Sequence, residues 1–214
     1  MSFKVIVIIA LALIFALPVA AGPVEDAAAA HDRGDFGTAL RLMRPLADQG
    51  DDFAQYNLGI MYARGQGVTR SFAEAFKWFR LSADQGNSGA QFNLGVMFAE
   101  GNGVPQNNDE AVKWYRLAAS QGNAIAQYNL GLVHLNGTGV AQSDAEAVRW
   151  FRKSADQGHA GAQSNLGHMF ANGKGVQQSN AEAFRWYRLS ANQGNALGQY
   201  NLGTIYALGQ GTNK

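Results

Sequence analysis

The chain has 214 residues, 47% of them hydrophobic, enough for one substantial core rather than several independent domains. It contains no cysteine, which excludes disulfides, thiol catalysis and cysteine-ligated metals. A formal net charge of +1 argues against nucleic acid or an anionic lipid surface as partner, since both select a clear basic excess.

Met1-Ser2-Phe3-Lys4 is a short segment with one positive charge, and Val5 to Leu17 is an unbroken apolar run. That run falls short of the ~20 residues a spanning helix needs, and Val19-Ala20-Ala21 supplies small residues for cleavage. Residues 1–21 are therefore expected to be a signal peptide cut after Ala21, which places the mature protein in the periplasm or outside the cell. If retained, the same segment is a membrane anchor. Losing Lys4 leaves 16 basic residues against 16 acidic ones. A lipoprotein is excluded because no cysteine is present to be acylated.

Residues 22–50 read as a divergent helix pair, Pro23 to Arg33 and Asp35 to Gln49. Its connecting loop is five residues shorter than the later ones, and Leu42 stands where they carry Trp. Pro45 lies inside the second helix and is predicted to kink it. An atypical terminal unit is what an N-terminal cap requires.

From Asp51 onward a period of 36 residues takes over. Asn-Leu-Gly recurs at Asn57, Asn93, Asn129, Asn165 and Asn201. Gln-Gly recurs at Gln49, Gln85, Gln121, Gln157 and Gln193, and Trp at Trp78, Trp114, Trp150 and Trp186. The units run 51–86, 87–122, 123–158 and 159–194, with a partial unit at 195–214. Each holds two helical patterns. Ala54, Leu58 and Tyr62 lie four apart in the first, and Ala75, Trp78, Phe79 and Ala83 share a face of the second. Gly65 fits a left-handed cap ending the first helix, and Gly86 with Asn87 closes the second. Neither helix can bury its apolar face alone, so the units must stack into an all-α solenoid of antiparallel helix pairs.

Gly59, Gly95, Gly131, Gly167 and Gly203 fall inside first helices, where glycine costs about 0.5–1 kcal/mol relative to alanine. Close approach by the second helix, through its Trp, is the expected reason, and Trp114→Ala is expected to cost about 3–5 kcal/mol. Glu74–Lys77, Glu110–Lys113, Glu146–Arg149 and Glu182–Arg185 repeat an i,i+3 pair, and Arg80–Asp84 and Arg152–Asp156 add i,i+4 pairs. Arg80, Arg116, Arg152 and Arg188 form a basic stripe largely cancelled by acidic neighbours. The last unit has no second helix, so Leu202 and Tyr206 lack their usual cover. Either the sequence is truncated, or a partner or a second copy of the chain covers that face by self-association.

The pattern Ala54-x3-Leu58-Gly59-x2-Tyr62-x2-Gly65-x-Gly67-Val68, then Ala75-x2-Trp78-Phe79-x3-Ala83-x2-Gly86, resembles the Sel1-like repeat, a relative of the tetratricopeptide repeat. The resemblance implies a right-handed α/α superhelix acting as an adaptor between proteins. Exported bacterial members restrain signalling receptors, modulate cell-wall enzymes or meet host proteins. Cysteine-rich members staple each unit with a disulfide, and this chain departs from them.

In tetratricopeptide proteins a similarly placed asparagine faces the concave groove and grips a peptide backbone, so the asparagine ladder is the candidate binding surface. An amide offers both donor and acceptor to a main chain. Residues at +4 and +7 share its helix face. The candidate groove is thus Asn57, Met61, Arg64, Asn93, Met97, Glu100, Asn129, Val133, Asn136, Asn165, Met169, Asn172 and Asn201. The alternative is that each Asn bonds the neighbouring unit and sets the stacking angle.

For chemistry the residues offer little. Beyond the leader there is no Ser-x-x-Lys, Gly-x-Ser-x-Gly or His-Glu-x-x-His, and Ser71, Ser143 and Ser179 stand where helix caps belong. His134 and His168 have no cysteine or paired carboxylate with which to complete a metal site. The paired glycines, unlike a phosphate loop, follow a helix and recur in every unit. The expectation is a non-enzymatic scaffold that binds a protein or peptide in its concave groove and uses no cofactor, nucleic acid or metal. A cell-wall hydrolase or glycan-binding accessory protein is the alternative.

Overall fold

The computed structural model describes residues 22–208, so the expected leader at 1–21 and the final glycine pair, Gly209/Gly211, lie outside the described residues. Eleven helices and no strand occur among those described. They are α1 (Pro23–Asp32), α2 (Phe36–Asp48), α3 (Asp52–Arg64), α4 (Phe72–Asp84), α5 (Ser88–Glu100) and α6 (Asn108–Ser120). The rest are α7 (Ala124–Asn136), α8 (Asp144–Asp156), α9 (Ala160–Asn172), α10 (Asn180–Asn192) and α11 (Ala196–Ala207). Consecutive helices pack as hairpins, and the second helix of each pair packs on the first of the next, giving an all-α solenoid. No helix among the described residues is long and apolar enough to cross a membrane.

Local chemistry sets the boundaries. Asp51 caps α3 by accepting the Ala54 N–H at 2.7 Å, and Ser71, Ser143 and Ser179 cap α4, α8 and α10 by accepting backbone N–H groups at 3.2 Å. Gly65 ends α3 at φ 71°, in the left-handed region. Gly67, at φ 70°, has a second reason to be glycine. A Cβ there would sit 2.8 Å from the Phe36 carbonyl oxygen, so the loop is pressed onto the start of α2. The helix α2 runs on through Pro45 to Asp48, its Met43 and Ala47 buried against the first full unit.

Leu58, Leu94, Leu130 and Leu166 are fully buried, one per unit, and form the axis of the core. The aromatic pressed against Gly59, Gly95, Gly131 and Gly167 is the residue after the Trp, not the Trp itself. A Cβ on Gly59 or Gly95 would lie 2.5 Å from the ring of Phe79 or Tyr115. One residue turns a helix by about 100°, which carries the Trp into the joint between its own hairpin and the preceding one. Trp78 accordingly packs with Met43, Leu58 and Met61, and the Arg44 guanidinium lies 5.2 Å from its ring.

The helix-surface ion pairs form as the spacing predicts. Lys113–Glu110, Arg149–Glu146 and Arg185–Glu182 are separated by 2.5, 3.4 and 3.5 Å, Lys77 pairs with Glu74, and Arg80 meets Asp84 at 2.9 Å. Arg152 instead lies over the Phe170 ring at 5.4 Å. Arg80 and Arg188 also cover aromatic rings, so the arginine stripe is largely spent on packing. At the last described helix, Leu197, Tyr200, Tyr206 and Leu208 are exposed while Leu202 packs on the core.

Candidate functional site

Successive first helices touch each other, α3 with α5 and α9 with α11. First helices therefore lie on the inner curve of the solenoid and second helices on the outer. The asparagine ladder belongs to that inner face, and Asn57, Asn93, Asn129, Asn165 and Asn201 are all half-buried.

Asn57 donates to the Phe53 carbonyl and Asn93 to the Gly89 carbonyl, each at 2.8 Å and each within its own helix. The joint between neighbouring pairs is made by glutamines instead. Gln85 donates to Gln55 Oε1 at 2.8 Å and to the Gly50 carbonyl at 2.9 Å, while Gln55 donates to the Ala47 carbonyl at 3.1 Å. The Gln-to-Gln bond recurs at Gln121 to Gln91, Gln157 to Gln127 and Gln193 to Gln163. Gln55, Gln91, Gln127 and Gln163 are buried. They follow the same 36-residue period as the asparagines, so the signal was present in the sequence. Ser82, Ser154 and Ser190 strengthen each pair by donating to the carbonyls of Asp52, Ala124 and Ala160.

The +4 positions need correction. Met61, Met97 and Met169 are 0%, 4% and 1% exposed and fill the core rather than line a groove. Four residues advance a helix by about 400°, some 40° past the asparagine on the core side, whereas seven bring it back within about 20°. Arg64, Glu100, Asn136 and Asn172 at +7 are exposed as expected. Val133, half-buried, does line a cavity, and further apolar lining comes from the +3 positions such as Ile60 and Leu132, which sequence reasoning missed.

Two cavities open on the inner face. One, of about 270 Å³, lies between α5 and α7 and brings together Glu100, Asn129, Val133 and Asn136, with Leu132 and Tyr115 of α6. The other, of about 280 Å³, lies between α3 and α5 and gathers Arg64, Asn93, Tyr56, Ile60 and Phe92. Asn57, Asn165, Asn172 and Asn201 line neither. Burial pushes the Tyr115 hydroxyl up to about 12, helped by the nearby Glu100 carboxylate and opposed by the Asn129 amide beside it. The hydroxyl therefore stays protonated and polar at the cavity floor.

The histidines are separate from these cavities. His134 is buried on α7, His168 is exposed on α9, and His159 caps α9 by accepting the Ala162 N–H at 3.1 Å.

The Sel1 repeat profile matches residues 52–87, 88–123, 124–159, 160–195 and 196–214. No curated protein matches the chain. A protective antigen of uropathogenic Escherichia coli with an SLR fold is 38% identical, at a TM-score of 0.84 over 89% of this chain. This chain spans only 42% of that protein's length. A Sel1 repeat protein from Oxalobacter formigenes is 30% identical, with a TM-score of 0.84 over 90% of this chain and 77% of its own. A Klebsiella pneumoniae protein, 22% identical over 86% of this chain and 91% of its own, shares the fold at a TM-score of 0.57. Sel1 repeat proteins are generally scaffolds for protein–protein interaction. Repeat profile, hairpin geometry and neighbours agree: the chain belongs to the Sel1 repeat family.

Proposed function

We propose that this chain is an exported scaffold that holds another protein by an extended segment laid along its inner face, with envelope signalling or cell-wall proteins as partners. The observation that carries this reading is the pair of adjoining cavities on that face, each containing an asparagine of the ladder. Asn57 and Asn93 spend only one N–H on their own helix, so their amide oxygens are left to accept from a visiting main chain. Variable side chains at +3 and +7 then supply selectivity around a constant backbone grip. The mechanism is positioning or sequestration. The exposed outer side of α11 is a second contact surface in this reading, for self-association or a partner.

Replacing Asn93 and Asn129 together by Ala tests the groove. Capture of partners by crosslinking in the native cell should be lost while the melting temperature holds. A collapse in melting would move the ladder to a purely structural role. N-terminal sequencing of the exported product should begin at Gly22, and a product retaining Met1 would replace the leader with an anchor. Incubation with peptidoglycan fragments should show no turnover, and saturable hydrolysis would overturn the scaffold reading.

A further inference from the structure

We propose that the cavity between α5 and α7 is a selectivity pocket for a cationic side chain, lysine or arginine, of the bound segment; this rests on the groove reading above. Glu100 is the one charged side chain among the residues that line the pocket. Glu100 stands at its mouth as the last residue of α5, where a carboxylate faces the negative end of the helix dipole. That placement is unfavourable for the isolated helix, and a bound cation relieves it. The last turn of α7, from Val133 to Asn136, forms the opposite wall, so a second helix presents its negative end to the same space.

Glu100 accepts one hydrogen bond, from Asn102 Nδ2 to Oε2 at 2.7 Å, which fixes the carboxylate and leaves Oε1. Among the described residues no Lys, Arg or His pairs with it. Asn129 and Asn136 add amide oxygens, and the Tyr115 hydroxyl remains neutral. Ala99, Leu132 and Val133 supply an apolar wall for the methylene stem of a long side chain. A cavity of about 270 Å³ accommodates one such side chain and its charged head. The carboxylate is particular to this unit. Arg64, Asn136, Asn172 and Leu208 hold the equivalent positions in the others.

The test is selection of randomised linear dodecapeptides on phage against the full chain, followed by affinity measurement of the selected peptides in solution. One peptide position should converge on Lys or Arg. Glu100→Gln, at an exposed site that leaves the fold intact by circular dichroism, should weaken those peptides about threefold to tenfold and flatten their salt dependence. Glu100→Arg should switch the preferred residue to Asp or Glu. The double variant Asn57→Ala/Asn93→Ala, outside this pocket, reports on the groove itself. Peptides weakened by that double variant but lacking a basic position, or indifferent to Glu100→Gln, would overturn the pocket and leave the groove standing. Selected peptides insensitive to the double variant and to Glu100→Gln alike, or no selected peptide at all, would overturn both.

Discussion

Gln157 donates its side-chain amide to Gln127 Oε1 at 2.7 Å, and Gln127 donates in turn to the Ala119 carbonyl at 3.2 Å, so one buried side chain joins three helices. The Ala119 carbonyl closes α6, Gln127 belongs to α7 and Gln157 follows α8. Gln127→Ala removes both bonds, leaving the Ala119 carbonyl only the Gly122 N–H at 3.1 Å, and is expected to cost about 1–3 kcal/mol in denaturant unfolding. A double-mutant cycle with Gln157→Ala should return a coupling of about 0.5–3 kcal/mol. Additive costs would show that the two glutamines act independently.

The helical glycines divide into two kinds. Gly131 faces the fully buried Phe151 ring, which has no room to swing aside, so Gly131→Ala should cost about 1–3 kcal/mol through overpacking. Gly203 has nothing within 4 Å of a built Cβ, and Gly203→Ala should stabilise α11 by about 0.5–1 kcal/mol. Thermal melts of the two variants should shift in opposite directions.

Trp78, 8% exposed, lies in the joint with the N-terminal pair, and Trp78→Ala should cost about 3–5 kcal/mol. Its indole N–H has no hydrogen-bond partner among the described residues, so Trp78→Phe should be much milder. Trp114 is only half-buried, and the loss on Trp114→Ala should be smaller than at Trp78, contrary to the expectation from sequence. Equal losses at both sites would contradict the burial difference.

Three histidines make the fold sensitive to acid. Loss of hydration holds His134, His159 and the otherwise exposed His168 below the usual imidazole value, with Arg116 and Arg149 adding to the effect at His134, Glu146 opposing it there, and Lys174 adding at His168. The unfolded chain therefore binds protons more readily than the folded one. Stability should be fully present above pH ~6.5 and fall as pH drops through the depressed folded values. His159 must also be neutral for Nδ1 to accept the Ala162 N–H. His159→Asn puts at that cap the residue that caps α5 and α7, and should flatten part of the loss between pH 7 and 5 without changing stability at pH 8.

The hairpins, their caps and the stacked order were legible because each depends on a local signal repeated every 36 residues. Ser71 and Gly65 do in the structure what such residues do anywhere. The inner face was legible at Asn57 and Arg64, but Met61 was misplaced because a 40° drift decides between core and groove, and spacing alone does not show which side the neighbouring pair occupies. Gln55 was passed over for a related reason. A buried polar side chain looks no different in sequence from a solvated one, and its role depends on Ala47 and Gln85, which only the stacked fold brings within reach. The Trp and its following aromatic were exchanged because both lie on the apolar face of α4, and their division of labour is a matter of about 100°.

The glutamine joints connect each hairpin only to its neighbours. Curvature is then a running total of small tilts at successive joints, much as a bicycle chain takes its arc from many stiff links. A guest slightly longer or bulkier than the groove can be met by spreading a minor adjustment over every link, with no single contact broken. In the proposed groove-binding role, selectivity for shape would be soft along the length of the channel, and discrimination would fall to the few positions, Arg64 and Glu100 among them, where one link differs chemically from the next.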